Sequence, residues 1–210
     1  MVLKVENKLF PSNTYLLANE TNYCVIIDPG LSPELIGDEI EKNNLKPECI
    51  VCTHGHFDHI ASVSYFKEKY NIPFYLHAAD LKISKSANFY LKVAKINYTI
   101  KTTSPDFVLD GFENKINTAH FQFSVWHYPG HSDGSCIVSA DNNLFTGDLF
   151  YKKGLGFNNF PGENRSVLKN SIRAIFDTFD NATTVYPGHG DFGKLAEMKQ
   201  NQSLIAFLNQ

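Results

Sequence analysis

The run Glu48-Cys49-Ile50-Val51-Cys52-Thr53 is apolar enough for a buried strand, and it opens directly onto His54-Gly55-His56-Phe57-Asp58-His59. Imidazole and carboxylate groups are costly to desolvate, and here His54, His56, Asp58 and His59 crowd the very edge of a core. Such a group is held in place only by a rigid scaffold that presents its loops to a ligand. The same arrangement recurs three times. Residues 121–128 lead into Pro129-Gly130-His131, residues 143–146 into Gly147-Asp148, and residues 183–186 into Pro187-Gly188-His189. A fold built on several strands whose ends carry the chemistry is therefore required.

Imidazole and carboxylate together are ligands for zinc, iron or manganese, and no thiol is needed. Two histidines spaced like His54 and His56 converge from one extended loop, while Asp58 and His59 can face a second position. Four donors in so short a loop are crowded for one ion, which favours two ions close together. His77, His120 and His127 each stand singly. Core, surface or supporting roles are expected of them, with His77, at a strand end, best placed to support the site.

The rest of the chain reads as short strands with helices between them. Strands are expected at residues 2–5, 13–18, 23–28, 49–53, 74–77, 107–109, 115–117, 121–128, 136–139, 143–146 and 183–186. Helices are expected at 33–43, 59–70, 78–96, 167–179 and 194–208. Ser32 and Pro33 supply an N-cap and a first-turn proline for the first helix. The 107–109 and 115–117 runs read as strands joined by a turn at Asp110-Gly111, and 136–139 with 143–146 as a hairpin about Asp141-Asn142. Strands dominating both halves suit an α+β protein of two facing sheets with helices outside, a four-layer αββα sandwich. No repeat or linker interrupts the chain, so a single domain over residues 1–210 is expected.

Composition narrows the partners. With 210 residues, 43% of them apolar, the chain can bury a sizeable core. Its net charge of −3 offers no basic field for a nucleic-acid backbone or an anionic membrane. Lys4, Glu6 and Lys8 stand where a secretory signal needs an apolar run, and no stretch is long enough to span a bilayer. A cytoplasmic enzyme acting on a small molecule is expected. Cys49 and Cys52 match C-x-x-C, but residues three apart on a strand face opposite sides. Buried free thiols are expected there, not a redox or zinc pair.

The signature Thr53-His54-Gly55-His56-Phe57-Asp58-His59, with His131, Asp148 and His189 following in that order, resembles the metallo-β-lactamase superfamily. The likeness is greatest to its glyoxalase II-like branch, the hydroxyacylglutathione hydrolases and their short relatives, and runs from Asp28-Pro29-Gly30 to the closing helix. It implies an αββα sandwich with the site at one edge of the sheets. By the same resemblance His54, His56 and His131 hold one divalent metal ion, and Asp58, His59 and His189 hold a second. Asp148 bridges both, and Asp28 supports the metal loop without binding metal. Zinc is implied first, with iron or manganese as alternatives. Residues 154–162, Phe157 and Asn158 among them, resemble the substrate-side loop that follows the bridging aspartate. The implied reaction is attack of hydroxide on a thioester or ester carbonyl, with Asp58 orienting the nucleophile.

The chain also departs from that branch. Phe157 stands where glutathione hydrolases keep a basic residue, and Asp191 where the long enzymes keep a tyrosine. Only 21 residues follow His189, room for about one helix where those enzymes add a helical domain. Weaker recognition of glutathione carboxylates is expected, with Lys152, Lys153 and Arg165 as possible substitutes. Two rivals share the fold: a persulfide dioxygenase with one iron on His54, His131 and Asp148, and a lactonase using the same metals. Secreted β-lactamase activity, RNA processing and flavin-linked diiron chemistry fit this sequence less well.

Overall fold

In the first of two units, Met1–Leu109 with Thr118–His120, six strands pair in sequence order. The computed structural model describes residues 1–156 and 162–210. Strands β1 (Val2–Glu6), β2 (Asn13–Ala18) and β3 (Tyr23–Ile27) are antiparallel. Strands β4 (Lys46–Val51), β5 (Phe74–His77) and β6 (Phe107–Leu109) continue the sheet in parallel from β3. Leu16, Ile26, Ile50, Cys52 and Leu76 share one core with Ile36 and Ile40 of helix α1 (Pro33–Lys42), and with Ala61 and Ile60, the last residue of α2 (Phe57–Ile60). Val63 and Phe66 of α3 (Val63–Tyr70) complete that layer. The alternate residues Tyr15, Val25, Ile27, Cys49 and Val51 are buried too, so these strands read as nearly continuous apolar runs.

Several boundaries differ from expectation, each for a local reason. The strand expected at 49–53 ends at Val51, because the Thr53 N–H turns out of the ladder to the Asp28 carboxylate, 2.7 Å away. The helix expected at 59–70 breaks between α2 and α3: Ser62 N–H donates to Pro29 O (3.0 Å) and its hydroxyl donates to Gly30 O. The 78–96 helix is a 3-10 turn, Ala78–Asp80, followed by α4 (Leu81–Lys85) and α5 (Ala87–Val93). At that break Ser86 Oγ donates to Lys82 O (3.0 Å), a local bond that competes with helix continuation. Ser32 does not cap α1 with its side chain; its hydroxyl accepts from Lys8 N–H at 3.0 Å.

The second unit comprises Asp110–Asn117 and Phe121–Gln210. Its strands are β7 (Glu113–Asn117), β8 (Gln122–His127), β9 (Cys136–Ala140), β10 (Asn143–Gly147), β11 (Thr184–Pro187) and β12 (Gly193–Lys194). They also pair in order, with β10 and β11 parallel and every other neighbouring pair antiparallel. Strands β6 and β7, expected to be joined neighbours, are the edges of two different sheets. The hairpin about Asp141 is as expected, with Asp141 at φ +49. Helix α6 (Arg165–Thr178) packs Leu168, Ile172 and Ile175 with Ile137, Leu144 and Val185. The closing helix is two pieces, α7 (Leu195–Lys199) and α8 (Gln202–Asn209), because Asn201 caps the second by accepting from Leu204 N–H at 3.0 Å. No helix among the described residues is long and apolar enough to cross a membrane.

The four cysteines are free and buried. Cys52 belongs to the helix-side core and its Sγ lies 3.5 Å from His59 O, while Cys49 faces the other side of β4. Burial raises the Cys24 thiol to about 12 and pushes Cys49 and Cys52 up as well. Burial thus favours the protonated thiol over the thiolate at all three. Replacing Cys49 and Cys52 together with alanine is expected to cost about 1 kcal/mol of packing at each site. Metal content by elemental analysis should stay unchanged in the folded double variant; loss of metal would make these residues ligands.

Candidate metal centre

Parallel pairing brings the ends of β3 and β4 side by side, with Ile27 opposite Val51. Asp28 leaves β3 at φ +53, a left-handed conformation that aspartate tolerates better than most residues. Its buried carboxylate then faces the start of the histidine loop. Oδ1 accepts from Thr53 N–H at 2.7 Å, and Oδ2 accepts from Thr53 Oγ1 at 2.7 Å and from His59 Nδ1 at 3.1 Å. The Thr53 hydroxyl has one proton and gives it to Asp28. His54 Nδ1, 3.0 Å from the same hydroxyl oxygen, must then be the donor of that contact. Both His54 and His59 thus carry hydrogen on Nδ1 and turn Nε2 away from Asp28.

His56 stands edge-on to His54, with ring centroids 4.7 Å apart, and His59 lies 4.2 Å from His54. Asp58 Oδ2 is 3.2 Å from His59 Nε2. Asp28 sits close enough to His54 and His59 to be counted among cation-binding groups. Its oxygens are occupied by three donors, however, which makes it the residue that orients the others.

A second carboxylate was not legible in the sequence. Asp80 is fully buried, and its Oδ2 accepts the Gly55 N–H at 2.7 Å. A Cβ at Gly55 would meet Asp80 O at 2.8 Å, so only glycine lets the loop lie this close. Asp80 follows β5, which runs parallel to β4, and that adjacency was the one available signal. Ser12 was also missed: its hydroxyl donates to Asp58 O at 2.9 Å and fixes the loop from the other side. His77 Nδ1 accepts from Ala79 N–H at 3.3 Å, capping the turn that carries Asp80.

The second unit presents its own cluster. Strand β8 runs antiparallel to β9, as β9 does to β10, and β10 is parallel to β11, so the C-terminal ends of β8, β10 and β11 share an edge. His131, Asp148 and His189 follow those ends. Gly188 N–H donates to Gly147 O at 2.8 Å and locks the last two loops together. Gly130 adopts φ +133, and a Cβ there would overlap the Leu168 backbone at 2.3 Å. Helix α6 therefore seats directly on the loop before His131, and Ser171 Oγ donates to Pro129 O at 2.6 Å. Asp148 Oδ2 lies 3.1 Å from His189 Nε2 and 3.7 Å from His131 Nε2, one carboxylate oxygen between two imidazoles.

The donor chemistry fits a divalent cation. Two ligands on one tetrahedral zinc lie about 3.3 Å apart when each bond is about 2.0 Å. The His59–Asp58 and His189–Asp148 separations of 3.2 and 3.1 Å match that spacing. A carboxylate oxygen and an imidazole lone pair repel at this distance unless a proton or a cation relieves them. Every residue expected at the site is thus placed within one of the two clusters, except Phe157 and Asn158, which lie outside the described residues.

The chain matches the model of the metallo-beta-lactamase superfamily over residues 7–189. It is 30% identical over 199 residues to the probable metallo-hydrolase YqgX of Bacillus subtilis, covering 93% of each chain. It is 24% identical over 205 residues to the hydroxyacylglutathione hydrolase GloC of Haemophilus influenzae, again covering 93% of each. Among solved structures it resembles the BLEG-1 B3 metallo-beta-lactamase, with a TM-score of 0.85, 29% identity and coverage of 97% of this chain and 99% of that one. It also resembles TTHA1623 in a di-iron-bound form, with a TM-score of 0.84, 28% identity and coverage of 95% and 98%. Two mixed sheets flanked by helices, ligand loops at their strand ends and these likenesses together establish that the chain belongs to the metallo-beta-lactamase superfamily and has its fold, a metallo-hydrolase by kinship.

Proposed function

We propose that this protein is a dinuclear metal hydrolase that cleaves an acyl thioester or a related ester. In this reading the two units work as one domain. His54, His56 and His131 would hold one ion and Asp58, His59 and His189 the other, with Asp148 available to both. The observation that carries the reading is the Asp28–Thr53 network, which spends both Nδ1 protons and leaves two Nε2 lone pairs turned away from Asp28. The kinship with a hydroxyacylglutathione hydrolase supports the thioester class. Buried free thiols suit a reducing compartment, and we assign the enzyme to the cytoplasm.

When bound, a pair of divalent cations supplies a deprotonated water near neutral pH and polarises the acyl carbonyl. The chain's own groups do the positioning. Asp58 accepts a hydrogen bond from the attacking water and aligns its lone pair with the acyl carbon. Ser12 and Asp80 hold the loop that carries Asp58, so that alignment is fixed before substrate arrives. Addition of water to the acyl carbon and cleavage of the carbon–sulfur bond release a carboxylic acid and a thiol. Serine and cysteine nucleophiles have no part in this, and burial disfavours the thiolate of Cys52.

Zinc is the ion we favour, and iron is a second reading that draws on the di-iron-bound relative. Elemental analysis of protein loaded with zinc should find about two ions per chain, because seven ligands exceed the four of one tetrahedral site. Asp58→Ala should lower that towards about one; a parent protein that never holds more than one ion of any metal would remove the dinuclear mechanism. Oxygen uptake with a persulfide, and no turnover of thioesters, would assign the iron-dependent alternative. Thr53→Val removes both the donor to Asp28 and the acceptor for His54. It should weaken metal binding about ten- to a hundredfold in a chelator competition, with the fold retained by circular dichroism. Unchanged affinity would show that the Nδ1 contacts do not set the site.

A further inference from the structure

Asn7 is buried directly after β1, in the loop that leads to β2. Its backbone N–H donates to Ser12 O at 2.9 Å and closes that loop. Its side-chain nitrogen lies 3.0 Å from Ser12 O, 3.2 Å from Ser12 Oγ and 3.1 Å from Thr14 Oγ1. Ser12 O is a carbonyl and can only accept, so the atom that faces it must be the amide NH2 and not the amide oxygen. Asn7 Oδ1 is left buried with no hydrogen-bond partner among the described residues. An apolar side chain of the same shape would not carry that cost, so packing alone is a poor account of an asparagine here.

Both hydroxyls that Asn7 reaches lead onward to the metal cluster. Ser12 Oγ donates to Asp58 O at 2.9 Å, and Thr14 Oγ1 donates to Asp28 O at 2.7 Å. Each hydroxyl has one proton and gives it to a carbonyl, so each meets Asn7 as an acceptor, and the NH2 has a hydrogen for each. Thr14 Oγ1 also accepts from Gly30 N–H at 3.1 Å and is then saturated. Gly30 makes room for the arrangement: a Cβ there would overlap Asn7 Nδ2 and meet Asp58 O at 2.6 Å. One amide thus sets the direction of two hydroxyl bonds, one to the backbone of each of two site aspartates.

We propose that Asn7 is a positioning residue for the metal centre: by donating to Ser12 and Thr14 it holds the Asp28 and Asp58 loops together, so that the groups they carry meet a cation already aligned. The proposal rests on the reading that this cluster binds metal. Asn7 acts through the two hydroxyls and not on the cation itself.

The test is zinc affinity in a chelator competition, run on folded parent and variant proteins well below the melting temperature of the metal-free form. Asn7→Ala removes the donor. Asn7→Asp keeps the shape but offers acceptors in its place, which draw the Ser12 and Thr14 protons away from the two carbonyls. Both variants should bind zinc about tenfold more weakly than the parent, the low end of what loss of a ligand's supporting partner costs. Ser12→Ala should show a similar loss. Asn7→Ala added to it should cost clearly less than a second tenfold, because one of the two branches is already cut. A purely structural Asn7 would lower the melting temperature of the metal-free protein and leave the zinc affinity of the folded protein as in the parent; that result overturns the proposal. If neither Asn7 variant folds, Ser12→Ala and Thr14→Val carry the test: about tenfold weaker zinc binding in each supports the relay, and parent-like affinity in both overturns it. A parent that binds no zinc removes the metal reading and the proposal together. A parent that binds zinc, with variants that bind it equally well, removes only the proposal.

Discussion

The Asp28 carboxylate is the constraint on which the rest of the site depends. It accepts from a backbone N–H, a hydroxyl and an imidazole at once, and does so while buried. A buried carboxylate with fewer donors would cost several kcal/mol, of order the stability of a domain. With three donors it becomes an anchor that ends β4, sets the path of the loop and fixes two imidazole tautomers. The left-handed backbone at Asp28 suits the same demand, since an extended residue there would project its side chain from a face of the sheet instead of across to Thr53.

Around that anchor the loop is clamped from several directions. Asp80 holds Gly55, Ser12 holds the Asp58 carbonyl, and Ser62 reaches back to Gly30. Each contact uses a backbone group that would otherwise stand unsatisfied in a buried loop. The clamps on the second cluster add close packing to hydrogen bonds: a helix packed against Gly130, the Ser171 hydroxyl on Pro129 O and a backbone bond between two glycines hold its loops.

The two histidine and aspartate clusters were legible because their members are expensive side chains placed directly after apolar runs, a pattern that chance seldom produces. The strands were legible for the same reason: β2, β5 and β6 have the expected bounds, since alternation and apolar runs are local properties. What escaped was anything set by a partner distant in sequence. Asp80 looks like any aspartate after a strand until β5 is laid beside β4. Ser12 gives no signal at all, because its partner is a carbonyl on another loop. Of the three broken helices, that at Ser62 fails for a related reason, since Ser62 looks compatible with a helix until its tertiary partners, Pro29 and Gly30, draw it out; at Ser86 and Asn201 a local side-chain bond competes with the helix, and Asn201 is held further by Lys152 O.

Those sequence separations have a kinetic side. The bonds that shape the clusters join residues 25, 31, 46 and 41 positions apart. Contacts of that span are closed late, after loop-closure entropy has been overcome by sheet formation. An unfolded or newly made chain therefore offers a metal only loose histidines, with neither tautomer chosen. A cation bound by these clusters would therefore be loaded after folding, and would hold the native state by mass action instead of nucleating it.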